Sequence, residues 1–241
     1  MSGRGRDMSR RRLLSCLAAG CLQNIPHSAA VTAAEIALTR AQKEAFLLTA
    51  RIVNTRSASK GITGTVRATL TDGTLTHDAS IQVIDEFKSR FDTTFGPEMN
   101  FKDSWKFNVA AYKLDRLLGL NMVPVTVERL YHNSGGSFTW WVDDVLMDEG
   151  DRNKNWRIWM IDHSRCFRTL TSLREPKYLE QCDRQLIQKL RGLTSDILRN
   201  ELGRYLTAPE ISGLLGRRDR ILEVFEAKGP SAIFSSPRRL D

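Results

Sequence analysis

"WRIWMIDHSRCF", residues 156–167, runs an apolar stretch straight into Asp162, His163, Ser164 and Arg165. Its first six residues read as a buried strand. A strand ending in a carboxylate, an imidazole, a hydroxyl and a guanidinium is either a plain turn or a place where a rigid element holds a metal ion. Which of the two applies depends on the elements around it.

Upstream, "DSWKFNVAAYKLDRLLG", residues 103–119, has the clearest helical spacing in the chain: Phe107, Ala110, Ala111, Leu114, Leu117 and Leu118 share a face. Asp103 or Ser104 can cap its start, and Gly119 sits where a C-cap glycine belongs. "NMVPVTVERLY" then alternates, with Val123, Val125 and Val127 on one side. "NSGGS" reads as a turn, "FTWWVDDVLM" as a second strand and "WRIWMI" as a third. Nearer the N-terminus, residues 38–53 read as a helix with a Thr39–Gln42 capping box and Ala45, Phe46 and Thr49 inward. Residues 56–64 read as a loop of small residues. "TVRATL" and "THDASIQVID" form a β-hairpin turning at Asp72-Gly73, and residues 86–102 are irregular. After Leu170 three stretches show apolar residues at i, i+3 and i+4, with Thr194 and Thr207 as caps and Gly229 as a stop. Strands with one helix come first and a helical block last, an α+β arrangement with a mostly antiparallel sheet.

The chain has 241 residues, 41% hydrophobic and 27% charged, which excludes a disordered chain. Of the formal net charge of +8, about half comes from Arg4, Arg6, Arg10, Arg11 and Arg12 against Asp7. The remainder is weakly basic and argues against a nucleic-acid partner. Residues 1–33 read as an export segment: a basic n-region, the apolar "LLSCLAAGCL" at 13–22, and small residues suiting cleavage after Ala30 or Ala33. "SRRRLL", residues 9–14, resembles a twin-arginine signal, and "LAAGC", residues 17–21, a lipoprotein box. The expectation is export to the periplasm or outside the cell, with no transmembrane span. Cys166 and Cys182, the two cysteines beyond that segment, either pair or stay free.

This order of elements resembles the protein-kinase-like superfamily, in its atypical branch of HipA-type kinases, phosphatidylinositol-kinase-like proteins and the secreted Golgi casein-kinase family. "NVAAYKLDRLLGLNMVPVTVER", residues 108–129, is similar to that branch's helix–loop–strand. "IDHSRCF", residues 161–167, is similar to its metal-binding motif. The resemblance spans roughly residues 45–228. It implies an N-lobe over 34–147, a helical C-lobe over 148–241, and ATP with Mg²⁺ or Mn²⁺ as cofactors. Asp162 would bind the metal, assisted by Asn155, and Arg165 would order the loop. Phosphoryl transfer needs a divalent ion to neutralise charge on phosphate oxygens, and such ions prefer carboxylate and water oxygens. "KGITG", residues 60–64, stands where the phosphate-covering loop belongs, so Lys60, Gly61 and Gly64 would approach the phosphates. "DDVLMDEG", residues 143–150, falls at the hinge that meets the adenine. Asp151, in a "DRNxxN"-like loop, would be the catalytic base.

Two departures matter. The family's phosphate-holding lysine is replaced by Gln82, and its partner glutamate by Asn108. Losing both together leaves no charge buried alone, yet it removes a charge clamp. Asp151 and Asp162 are also only eleven residues apart, too few for a catalytic loop plus a two-stranded hairpin. The expectation is an ATP-dependent phosphotransferase-like protein with impaired transfer; the alternative is a pseudokinase that binds nucleotide or serves as a scaffold. The phosphoacceptor, whether protein, lipid headgroup or sugar, is not specified. A zinc site from His163, Cys166 and Cys182 with His132 or His77 lacks a second ligand pair, and no hydrolase motif is present.

Overall fold

The computed structural model describes residues 38–57, 64–93, 96–143, 145 and 158–236. Helix α1 (Arg40–Thr49) begins at the expected capping box, with Thr39 and Gln42 bonded reciprocally. It stops four residues short of the expected end, because the β-branched run after Ala50 goes into strand β1 (Arg51–Ser57). Its buried face is Phe46, Leu47 and Ala50 rather than Ala45, Phe46 and Thr49.

Strands β2 (Val66–Thr71) and β3 (Thr76–Gln82) form the expected hairpin. Asp72 secures its turn by accepting from the amides of Thr74 and Leu75, each at 2.8 Å. Residues 86–102, expected to be irregular, form a second hairpin, β4 (Asp85–Thr93) with β5 (Gly96–Ser104). The alternation was present in the residues: Phe87 and Phe91 fall at odd positions, charges at the even ones between them. Phe87 and Met99 remain 66% and 64% exposed, so the hairpin buries little and announces itself weakly.

Helix α2 (Trp105–Leu118) is capped by Ser104, whose hydroxyl accepts from the Lys106 amide, and ends on Gly119 at φ 69°. The loop that follows is latched by a buried carboxylate: Asp115 accepts from the amides of Met122 at 2.9 Å and Val123 at 3.3 Å. That bond gives the "LDRLLGLNMVP" stretch its physical reason. It ties the helix end to strand β6 (Thr126–Tyr131).

Strand β7 (Ser134–Trp140) returns against β6 and β3, completing an antiparallel sheet in the order β1-β2-β3-β7-β6. The turn lies at His132 and Asn133, with φ of 47° and 65°, not at the glycines. Gly135 and Gly136 belong to the strand because they are pressed on: an added Cβ would meet the Trp105 ring at 2.8 Å and the Gln82 carbonyl at 2.9 Å.

Residues 158–175 contain neither helix nor strand. This corrects the opening expectation for "WRIWMI". Of its described residues, Ile158, Met160 and Ile161 are 64%, 45% and 50% exposed. The segment is held to the body of the fold by the Met160 amide, which donates to the Met122 carbonyl at 2.8 Å. Without a ladder of such bonds an apolar run has no strand to join.

The C-terminal block holds β8 (Cys182–Asp183), α3 (Arg184–Gly192), α4 (Ser195–Leu202), α5 (Ala208–Lys228) and β9 (Ile233–Phe234). Thr194 and Thr207 cap α4 and α5, and Gly229 ends α5, as expected. Two apolar clusters carry the fold. One packs the sheet's Leu70, Ile81 and Phe138 against Leu47 and Tyr112. The other packs Phe107 and Ala110 against Phe167, Leu190, Leu198 and Leu202. Helix α2 serves both, with Tyr112 on one side and Phe107 on the other. Each fully buried large side chain contributes roughly 1.5–3 kcal/mol. No described helix is long and apolar enough to cross a membrane.

Candidate functional site

Gln82 ends β3 and Asn108 lies in the first turns of α2, both 7% exposed. Buried amides must find partners, and these find each other. The Asn108 side-chain NH₂ donates to the Gln82 side-chain carbonyl and, at 3.2 Å, to the Ser137 hydroxyl. The Gln82 NH₂ donates to the Thr65 hydroxyl at 3.0 Å. The Asn108 carbonyl oxygen accepts from the His163 backbone amide at 2.9 Å. A continuous neutral relay therefore runs from Thr65, next to Gly64, through Gln82 and Asn108 to the residue after Asp162. Gly64 itself has φ 64°.

The Asp162 segment is also pinned from a second side. The Ser104 amide donates to the Ser164 carbonyl at 2.9 Å, and the Cys166 amide closes a turn onto the His163 carbonyl at 3.0 Å. Asp162 sits at φ 59°, a left-handed conformation that few residue types tolerate as well as aspartate. Its carboxylate is exposed and accepts from the Ser164 hydroxyl at 3.2 Å. The Arg165 guanidinium lies 4.6 Å from the Phe101 ring centre, against the second hairpin. Phe167 is buried edge-on against Phe107, with ring centres 5.4 Å apart. The loop is thus held by backbone bonds, a cation–π contact and an apolar anchor. Burial lowers the His163 pKa, opposed by the Asp162 and Asp115 carboxylates, so its imidazole is held toward the neutral form.

One member of this neighbourhood was read in the sequence only as a possible helix cap. Asp103 is 3% exposed, and with Ser104 taking the cap its carboxylate is free for other use. The Ser164 hydroxyl stands close enough to favour its ionised form. Its Oδ1 has no hydrogen-bond partner among the described residues. Burial raises its pKa; Ser164 and Arg165 act against that, while Asp162 and Glu86 push it up further. No charge pattern distinguishes such a residue from an ordinary cap, because its environment is made by β5 and the 162–165 turn together.

Among the expected site residues, then, Gln82 and Asn108 are in direct contact, and both connect to Gly64's neighbour and to Asp162's neighbour. Lys60, Gly61, Asp151 and Asn155 lie outside the described residues, as does most of the expected hinge. Cys166 and Cys182 are free thiols, Cys166 exposed and Cys182 buried. Among the described residues no group of three or more His, Cys, Asp or Glu side chains could hold a metal ion, which leaves the zinc alternative without a cluster. His77, one of its possible ligands, is instead stacked on Trp140 at 3.8 Å.

No family model and no curated protein matches the sequence. Solved structures do match. A crystal structure of the Golgi casein kinase is similar at 13% identity and a TM-score of 0.54, covering 83% of this chain and 79% of that one. The structure of hydra Fam20 with sugar is similar at 12% identity and a TM-score of 0.58, covering 82% of this chain and 93% of that one. The Golgi casein kinase with Mn/ADP bound is similar at 12% identity and a TM-score of 0.55, covering 83% and 80%. The chain has an atypical-kinase-like α+β fold, as its order of elements implied.

Proposed function

We propose that the chain is an atypical-kinase-like phosphotransferase whose nucleotide and divalent-cation site persists and whose transfer step is impaired. The single observation that carries this reading is the amide relay. Gln82 and Asn108 occupy the positions of the family's charge clamp and touch each other. They join the end of the glycine loop to the Asp162 turn, so the three parts that must converge on a phosphate chain are wired together. A neutral pair positions these parts but supplies no positive charge to a phosphate.

The residues present fit a magnesium- or manganese-type ion. Asp162 offers an exposed carboxylate on a turn fixed from two sides, and oxygen donors suit hard cations that keep several waters and take phosphate oxygens as further ligands. Such an ion supplies charge neutralisation at the phosphates. On this reading Asp162 holds the metal with Asn155, and Lys60, Gly61 and Gly64 cover the phosphates. Asp151 accepts the acceptor's proton, the step weakened most by its short spacing to Asp162. The N-lobe spans 34–147, the C-lobe 148–241, and residues 1–33 direct export. The similarity to a Golgi kinase solved with Mn/ADP supports the choice of cofactors. The phosphoacceptor is a protein, lipid headgroup or sugar hydroxyl.

The pseudokinase reading is favoured by one specific observation, the neutrality of the Gln82–Asn108 pair. The two readings separate in one experiment on the full chain: binding of a fluorescent ATP analogue with Mg²⁺ or Mn²⁺, followed by transfer of label from the γ-phosphate of ATP to mixed protein, lipid and sugar acceptors. Metal-dependent binding with slow transfer is expected. Binding with no transfer establishes the pseudokinase. No binding with either metal overturns both.

A further inference from the structure

The strongest unexplained feature outside the proposed ligand set is the orphaned oxygen of Asp103. A carboxylate at 3% exposure needs a charge partner or several hydrogen bonds to stay ionised. Asp103 has one hydroxyl on one side and nothing on Oδ1 among the described residues. That hydroxyl belongs to Ser164, which also lies 3.2 Å from the Asp162 carboxylate. A serine has one proton to give, and two carboxylates stand around it.

The backbone fixes this arrangement. The Ser104 amide is bonded to the Ser164 carbonyl, so the end of β5 and the 162–165 turn are held in register one residue from Asp103 and two from Asp162. Glu86, opposite Asp103 in the hairpin, adds negative charge to the neighbourhood. Arg165, whose guanidinium lies over the Phe101 ring, is the nearby cation and offsets part of this negative charge.

We propose that Asp103 is a second carboxylate ligand of the divalent cation held at Asp162, with Ser164 as the post between them. The inference rests on the Asp162 reading and deepens it. The cation takes Asp103 Oδ1, a buried and positionally fixed oxygen, together with the exposed carboxylate of Asp162. A rigid inner oxygen and an adaptable outer one make a site that accepts the ion before any nucleotide arrives. The cation resolves the like-charge contact that the chain alone leaves in place.

The test is Mn²⁺ binding to the full chain without nucleotide, read by the electron-paramagnetic signal of free Mn²⁺ and by the Tm. Wild type, Asp103→Asn, Asp162→Asn and Glu86→Gln are compared. Asp103→Asn and Asp162→Asn each weaken Mn²⁺ at least tenfold, while Glu86→Gln stays within twofold because it alters only the surrounding field. In the absence of metal, Asp103→Asn melts no lower than wild type, since a buried carboxylate with an unsatisfied oxygen has been removed; a merely structural aspartate would lower the Tm. Mn²⁺ binding that Asp162→Asn abolishes but Asp103→Asn leaves intact overturns this inference and spares the Asp162 reading. No Mn²⁺ binding to wild type overturns both. Should Asp103→Asn fail to fold, Ser164→Ala decides: with the shared proton gone, Mn²⁺ raises its Tm by more than it raises that of wild type. An equal or smaller rise contradicts the proposal.

Discussion

Two clusters of polar side chains meet at the turn after Asp162, and they are wired differently. In the relay, Gln82, Asn108, Thr65, Ser137 and the His163 amide satisfy one another. In the acidic pair, Asp103 and Asp162 share one serine hydroxyl and an oxygen is left over. The relay is finished by folding alone. The pair is not, and buried groups that folding leaves incomplete are where a ligand is expected. The chain thus has a neutral scaffold at Gln82 and Asn108, and its carboxylates stand together on the side of the Asp162 turn.

The largest effect should come from breaking the relay's neutrality. Asn108→Glu alone buries a carboxylate beside a carboxamide and should destabilise by roughly 3–5 kcal/mol. Gln82→Lys alone should cost a similar amount. The double variant should recover much of the loss, giving a coupling of at least ~2 kcal/mol in a denaturant-melt cycle. Strict additivity would mean that the two positions do not face each other as described. On the proposed reading the double variant should also strengthen metal–ATP binding, because it adds a cation beside the phosphates.

A middle-sized effect should follow from loosening the pair and leaving the relay alone. The chain after Asp162 is laid on α5. An added Cβ at Gly213 would meet the Arg168 carbonyl at 2.5 Å, and Arg217 donates to that carbonyl at 2.8 Å and to the Leu170 carbonyl. Gly213→Ala should cost about 2 kcal/mol by forcing the segment away. Its Mn²⁺ affinity should fall, because the turn's far anchor has moved. A variant that melts normally and binds Mn²⁺ normally would detach α5 from the account.

The smallest effect sharpens the comparison through a carboxylate that is fully partnered. Burial pushes the Asp78 pKa up, but bonds from Thr69 at 2.7 Å and Arg67 at 2.6 Å, with the Arg67 and Arg56 charges, outweigh it and hold the pKa below its ordinary 3.8. A lowered folded pKa contributes stability that is present above 3.8 and lost as pH falls through the folded value. Asp78→Asn should therefore flatten the acid limb of the stability curve and leave Mn²⁺ binding unchanged. An unaltered acid limb would contradict the assignment.

The fold was largely legible in the residues. Capping chemistry marked α1, α2, α4 and α5, and the Asp72-Gly73 turn marked the first hairpin, because these signals are local. Gln82 and Asn108 were legible as a pair only through the resemblance, since nothing local says that residues 26 apart will touch. The failures share a physical cause. "WRIWMI" is apolar enough for a strand, yet its described residues 158–161 join no sheet, and strand formation is settled by the neighbour rather than by the segment. The second hairpin was missed because its alternation is diluted by exposed Phe87 and Met99. The glycines at 135 and 136 were misread as a turn because close approach to Trp105 and Gln82 is a tertiary demand. Asp103 was invisible for the same reason: its isolation is created by a turn some 60 residues away, and sequence spacing carries no trace of it.

The central claim is that this kinase-like fold keeps a working cation and nucleotide site at Asp162. The most direct measurement is a thermal-shift titration of the full chain with ATP and Mn²⁺, beside Asp162→Asn. A ligand at a hundred times its Kd stabilises by ~2.7 kcal/mol, several degrees for a chain of this size. A metal-dependent rise of that order, abolished in Asp162→Asn, is the predicted result. No rise with either Mn²⁺ or Mg²⁺, or a rise that Asp162→Asn leaves intact, would contradict it.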